Sequence, residues 1–281
     1  MKSLERVVDD IKSVKVQGAK EIAVYALKFL RKFCKKHGFG LKFEVACMVL
    51  ERARPTAVVL HNCLEILKKE RKLRTIDKLL KRLDQSTKKI AKIGKDLIKD
   101  GYVIMTHCHS GEALSVIKAA WKEGKKISVI ATETDPLEQG VKTAKELSRM
   151  KIPVTLITDN AMGFFMKEVD LVIVGSDAIR VRKPLGVVNK IGTKLLALAA
   201  KREKKKFIVV GNTLKIDRRE KLVIEERPPQ EVYRELIHKV DRKRVKIRNP
   251  AFDLTEFDLV SLIVNEEDVF TPKQFLRRYG K

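Results

Sequence analysis

Thr106-His107-Cys108-His109-Ser110 sets a thiol between two imidazoles at the end of an apolar run, Tyr102 to Met105, and a helical pattern opens at Gly111. That order reads as a buried strand, a tight polar turn and a helix start. In open α/β sheets, ligands bind just outside the carboxyl ends of the strands. Backbone amides at a helix N-terminus attract anions and lower the pKa of a neighbouring thiol. Cys108 is therefore expected to ionise readily and act as a base, with backbone donors from Ser110-Gly111 beside it. A second apolar run, Leu171 to Val174, ends in Gly175-Ser176-Asp177 and brings a carboxyl to the same rim. A base and an acid on opposite sides of a small substrate suit an aldose–ketose isomerisation. Spacing alone leaves blander readings open: Cys108 as a turn cysteine packed below the rim, and Asp177 as a cap. His107 and His109 read as supports bonded to loop groups, not as metal ligands. Cys34, Cys47 and Cys63 lie far from Cys108 and form no CxxC pair, so no zinc site, disulfide framework or other cofactor is expected.

These turns need strands and helices to hold them. Residues 1–99 follow helical spacing only, with segments around Ile22 to Phe33, 43–53, 56–69 and 75–100. From residue 101, apolar runs at 102–106, 127–132, 153–158, 170–175 and 206–211 alternate with helical patterns at 111–123, 139–149, 160–168 and 190–202. Such alternation implies parallel strands joined by crossover helices. A last strand at 259–264 precedes a helix that Thr271, Pro272 and Gln274 cap. The expected fold class is α/β: an N-terminal helical domain, 1–99, followed by a Rossmann-like, mainly parallel sheet domain, 100–281. Parallel strands bring their carboxyl ends to one rim. The turns at Glu133-Thr134-Asp135-Pro136, Asp159-Asn160, Asn189 to Thr193 and Gly211-Asn212-Thr213 should therefore meet those of Cys108 and Asp177.

No run of eighteen apolar residues and no secretory signal is evident in the 281 residues, so a soluble cytoplasmic protein is expected. The formal net charge of +25 would attract nucleic acid or an acidic partner. Its basic clusters (Arg31 to Lys36, Lys68 to Lys72, Lys201 to Lys206, Arg242 to Arg244) are scattered, however, and no aromatic residues interleave them, which disfavours direct nucleic-acid binding.

In order along the chain, six motifs resemble one superfamily. They are Arg54-Pro55-Thr56-Ala57-Val58, Thr106 to Ser110, Glu133-Thr134 with Pro136 and Gln139-Gly140, Gly175 to Ile179, Asn189 to Thr193, and Asn249-Pro250-Ala251-Phe252-Asp253. That superfamily joins the alpha, beta and delta regulatory subunits of translation initiation factor 2B to the isomerases of ribose 1,5-bisphosphate and 5-methylthioribose 1-phosphate. The resemblance implies a homodimer or higher homo-oligomer and a phosphorylated sugar or nucleotide as ligand. It implies Cys108 and Asp177 as the proton-handling pair, Asn189 and Lys190 as substrate contacts, and Arg54 as a phosphate holder.

Two departures matter. The isomerases carry arginine–glycine–alanine where this chain has Gln17-Gly18-Ala19, and arginine in place of Asp135. Arginine is the usual fork for phosphate, and each lost charge-assisted bond costs roughly 1.5–3 kcal/mol. On this ground the favoured reading is an archaeal-type regulatory subunit. It would act through initiation factor 2 and its GDP/GTP exchange, with a remnant or altered sugar-phosphate pocket. The alternative is an isomerase of a phosphorylated pentose using Cys108 and Asp177.

Overall fold

Both halves of the pattern appear in a computed structural model, which describes residues 3–232, 241 and 244–280. Arg242 and Lys243 of the last basic cluster lie outside the described residues. Five helices come first: α1 (Leu4–Lys12), α2 (Ala19–His37), α3 (Leu41–Ala53), α4 (Val58–Glu70) and α5 (Leu73–Gly94). Their apolar stripes close on one core that includes Ile22, Leu27, Phe43, Leu50, Leu64 and Ile76. The sequence pattern carries α5 on to residue 100. In the structure it stops at Gly94 and gives way to a 3-10 turn, Lys95–Leu97. Gly94 is needed there, since a Cβ would come within 2.7 Å of Val116 on the next helix. The far end of α5 packs on the sheet: Ile90 shares a core with Ile104 and Ile117.

The alternating half follows as β1 (Val103–Thr106), α6 (Gly111–Lys122), β2 (Ser128–Thr132), α7 (Gln139–Arg149), β3 (Val154–Ile157), α8 (Met162–Phe165) and β4 (Leu171–Val174). Next come β5 (Ala178–Arg180), β6 (Gly186–Lys190), α9 (Thr193–Arg202), β7 (Lys206–Val210) and β8 (Ile216–Asp217). The chain closes with β9 (Phe252–Glu256), β10 (Leu262–Val264), β11 (Val269–Phe270) and α10 (Pro272–Tyr279). The main sheet has the order β11-β10-β7-β4-β1-β2-β3 and is parallel except for β11. β4 and β7 are apolar at almost every position and buried on both faces, as parallel strands covered by helices must be. Thr271 and Gln274 form the capping box expected from their spacing.

Strand order decides where the site falls. The chain leaves β1 toward β2 and β3, then returns to the other side of β1 as β4, whose Val172 pairs with Met105. The two connections diverge between β1 and β4 and open a crevice at their carboxyl ends. Cys108 follows β1 and Asp177 follows β4.

A second sheet, β8-β5-β6-β9, is absent from the pattern read in the sequence. It corrects one assignment there. Asn189 and Lys190 end strand β6 and do not open a helix. Helix α9 starts at Thr193, after Gly192 at φ +100°. A Cβ on Gly192 would lie 3.1 Å from the His107 ring, so only glycine lets this loop approach the turn after β1. Among the described residues, no helix is long and apolar enough to cross a membrane.

Candidate active site

A cavity of about 420 Å³ opens between the first turn of α2, the turns after β1 and β4, and the end of β6. Of the residues singled out in the sequence, Gln17, Gly18, Ala19, Arg54, Cys108, Ser110, Gly111, Asp177, Asn189 and Lys190 line it. Asp135 does not. Its turn is held elsewhere, with the Thr134 and Asp135 amides donating to Asp159 Oδ1 at 2.9 Å and Oδ2 at 2.8 Å, and its side chain lies exposed outside the cavity wall. The expected clash between Asp135 and a phosphate in the cavity is therefore not built into the fold.

Cys108 sits at φ +69°, a left-handed backbone that a β-carbon disfavours. Two hydrogen bonds hold it there, and a third braces one of their partners. Its amide donates to Thr134 Oγ1 at 2.9 Å, and Thr143 Oγ1 donates to its carbonyl at 2.8 Å. His109 Nδ1 reaches Thr143 Oγ1 at 3.1 Å. Beneath it, His107 is 1% exposed and bridges two groups, Thr132 Oγ1 at 2.7 Å from Nδ1 and the Ile191 carbonyl at 2.8 Å from Nε2. The carbonyl only accepts, so Nε2 carries the proton and Nδ1 accepts from Thr132. Burial pushes the His107 pKa down, which keeps the ring neutral. The two histidines are thus supports for the turn, as their neighbours in sequence imply.

The expectation of a readily ionised thiol runs against the electrostatics of the cavity. Burial, and then the negative charge of Asp177, push the Cys108 pKa up to about 12. The backbone amide of His109 and the Lys190 ammonium pull the other way and lose to dehydration. Burial likewise raises the Asp177 carboxyl, against the pull of Lys215 and Arg54. The two groups form a pair in which either proton is hard to remove while the other site is charged. Lys190 is buried too, and its pKa is lowered.

Arg54 and Arg227 share one carboxylate: Arg54 Nε donates to Glu225 Oε2 and Arg227 Nη1 to Oε1, both at 3.1 Å. That leaves Arg54 Nη1 buried with no hydrogen-bond partner among the described residues. Gln139 Oε1 is in the same position, and both residues line the cavity. A buried donor and a buried acceptor without partners are costly, and a ligand bearing both anionic oxygens and hydroxyls satisfies them. Asn189 Nδ2 donates to Thr193 Oγ1 at 3.0 Å, and Ser110 Oγ caps α6 through the Ala113 amide at 3.3 Å.

Lys142, Lys215 and Arg227 line the cavity and are missing from the sequence reading, which has Gln139 only as part of a motif and Lys20 only as a charge that could replace the missing arginine. Gln139 had a signal, since it opens α7 just past a strand-end turn. Lys215 and Arg227 had none, because they arrive from the second sheet and its connections. Lys215 is buried against Glu112, whose Oε1 also accepts from Asn212 Nδ2 at 2.6 Å.

Residues 15–272 match the model of the initiation factor 2 subunit family. The chain belongs to that family. It is similar to the ribose 1,5-bisphosphate isomerase of Archaeoglobus fulgidus, with 39% identity over 97% of this chain and 91% of the relative. It is also similar to the methylthioribose-1-phosphate isomerase of Acetivibrio thermocellus, at 36% identity over 97% of this chain and 89% of that one. Among solved structures, the translation initiation factor eIF-2B of Pyrococcus horikoshii superposes with a TM-score of 0.85 at 28% identity, covering 97% of this chain and 98% of that one. The sequence reading preferred a regulatory subunit acting through initiation factor 2. The relatives overturn it: those with 39% and 36% identity over nearly the whole chain are named isomerases. Half of the physical premise of that preference falls as well: Asp135 is not in the cavity wall, though Gln17 is.

Proposed function

We propose that this family member isomerises a phosphorylated pentose from aldose to ketose, in the manner of a ribose 1,5-bisphosphate isomerase. The observation that carries the reading is the Cys108–Asp177 pair at the sheet's switch point, facing one cavity with Arg54, Asn189 and Lys190. On a ribose bearing a phosphate at C1, C2 loses its hydrogen and its hydroxyl proton and becomes a carbonyl. C1 gains a proton, and the ring oxygen, released from C1, gains the other. C2 is oxidised and C1 reduced, so no external oxidant is needed.

Cys108 takes the proton from carbon and Asp177 supplies the one for oxygen. The productive form is then thiolate with carboxylic acid, a tautomer of the singly protonated pair. It is reached by moving the proton from sulfur to Asp177, and Lys190 favours it by stabilising the thiolate. Arg54, whose Nη1 has no partner among the described residues, holds phosphate, and the Ser110-Gly111 turn offers backbone donors at the start of α6.

The test is turnover of ribose 1,5-bisphosphate and of methylthioribose 1-phosphate by the purified chain. Cys108→Ser and Asp177→Asn should each abolish it. Wild-type protein that converts neither sugar rules the reading out. We also propose a homo-oligomer: α8 and α9, which touch, leave Phe164, Leu195 and Leu198 exposed at 79%, 55% and 46%. Light scattering that finds a monomer would exclude it.

A further inference from the structure

The corner of the cavity built by Gln17, Gly18 and Ala19 has no guanidinium of its own, yet lysines line it: Lys15, which pairs with Asp10 at 3.5 Å, and Lys142 and Lys20. Lys142 lies one turn into α7, three residues after Gln139 and on the same cavity-lining face. Its Nζ donates to Gln17 Oε1 at 3.4 Å, a long bond that is easily exchanged. Lys20, in the first turn of α2, donates to Thr87 Oγ1 at 2.7 Å. Both partners are uncharged.

The carboxylates nearby are few. Glu21 lines the same corner, folded back over Gly18, and Asp84 feels Lys20 but is bonded to Lys88 at 2.8 Å. The first amides of α2 have no side-chain cap, so they add positive potential at this end. Arg54 stands apart, tied to Glu225 on another part of the wall.

We infer that Lys142 and Lys20 hold one phosphate of the substrate against the Gln17–Ala19 end of α2, while Arg54 holds a second. Lys142 thereby returns the charge that Gln17 lacks, from a different helix. The inference rests on the sugar-phosphate reading of the cavity and sharpens it: the preferred substrate carries two phosphates, one for each of the two places where the wall offers cationic donors.

Calorimetric titration into the Cys108→Ser chain tests this without turnover. Ribose 1,5-bisphosphate should bind at least about tenfold more tightly than methylthioribose 1-phosphate. Lys142→Met should weaken the bisphosphate by about tenfold, and the Lys20→Met/Lys142→Met pair by about a hundredfold. Lys142→Arg, which keeps the charge, should stay within about twofold of the parent. Equal affinity for the two sugars overturns the inference. So does an unchanged Kd in Lys142→Met, or a loss in Lys142→Arg as large as in Lys142→Met. Inorganic pyrophosphate separates the two levels of the argument. A chain that takes pyrophosphate in a Lys142-dependent way but rejects both sugars keeps the anion corner and loses the isomerase reading. A chain that rejects all three ligands loses both.

Discussion

His107 Nε2 lies 2.8 Å from the carbonyl oxygen of Ile191, so the strand that delivers Cys108 is bolted to the loop that follows Asn189 and Lys190. Two walls of the cavity are therefore set by one buried, neutral ring. His107→Phe keeps the volume but strands the Ile191 carbonyl, at about 1–3 kcal/mol for a buried group left without a partner, while Thr132 Oγ1 keeps Thr134 Oγ1 at 3.1 Å. The urea midpoint should fall accordingly, and kcat with it. An unchanged midpoint would show that the bridge contributes nothing.

The same ring predicts a pH dependence of stability. Burial depresses the folded-state pKa of His107 below the ordinary 6.5, and that of His109 shifts the same way. Between the folded value and 6.5 the unfolded chain binds more protons, so stability falls as pH drops below about 6.5. His107→Phe should flatten that fall in unfolding curves taken from pH 7 down to pH 5. A slope identical to that of the wild type would mean that His107 is not the group being titrated.

The Cys108 thiol gives a third prediction. Its pKa of about 12 owes part of its height to the negative charge on Asp177. Asp177→Asn removes that charge, favours the thiolate and lowers the pKa, so alkylation by iodoacetamide at pH 9 should speed up severalfold. Lys190→Met should slow it, since the ammonium favours the thiolate. Equal rates in all three proteins would dissociate Asp177 and Lys190 from the thiol.

How much of this was legible beforehand depends on element length and on where charge is buried. The parallel sheet was readable because β1, β2, β4 and β7 are apolar runs of four or five residues between helical patterns. The positions of Cys108 and Asp177 followed from the rule about strand ends. The second sheet was not readable. β5 and β8 have three and two residues, too few for an alternation to register, and Arg180 is fully buried on β5, where a charged residue reads as surface. Its burial makes sense with Asp217 at 2.9 Å and the carbonyls of Arg219 and Glu220, which lie far along the chain. The ionisation of Cys108 is a related case: its position by a helix start is visible in the sequence, but the dehydration that opposes it is not.

The protonation of the pair should shape the rate profile. If the singly protonated pair is the active form, kcat/KM rises through the pKa of Asp177, which burial lifts above the ordinary carboxylate value. The alkaline limb belongs first to Lys190, whose ammonium favours the thiolate and whose pKa burial lowers from 10.5, since the thiol itself titrates only near pH 12. Lys190→Arg, which stays charged, should move that limb up; a limb left in place would show that Lys190 is not the group being titrated.

Gln139 should separate stability from binding. Its Oε1 is buried and without a partner among the described residues, which penalises the free protein, and the residue lines the cavity, so a small rotation of the amide would offer this acceptor to a sugar hydroxyl. Gln139→Leu, of similar size, removes the penalty and the acceptor together. The free chain should gain about 1 kcal/mol in urea unfolding, and KM for the sugar phosphate should rise roughly three- to tenfold, the value of one hydrogen bond. Such opposed effects belong to a group kept for a ligand. A variant that loses stability with KM unchanged would mean that Gln139 serves the fold alone.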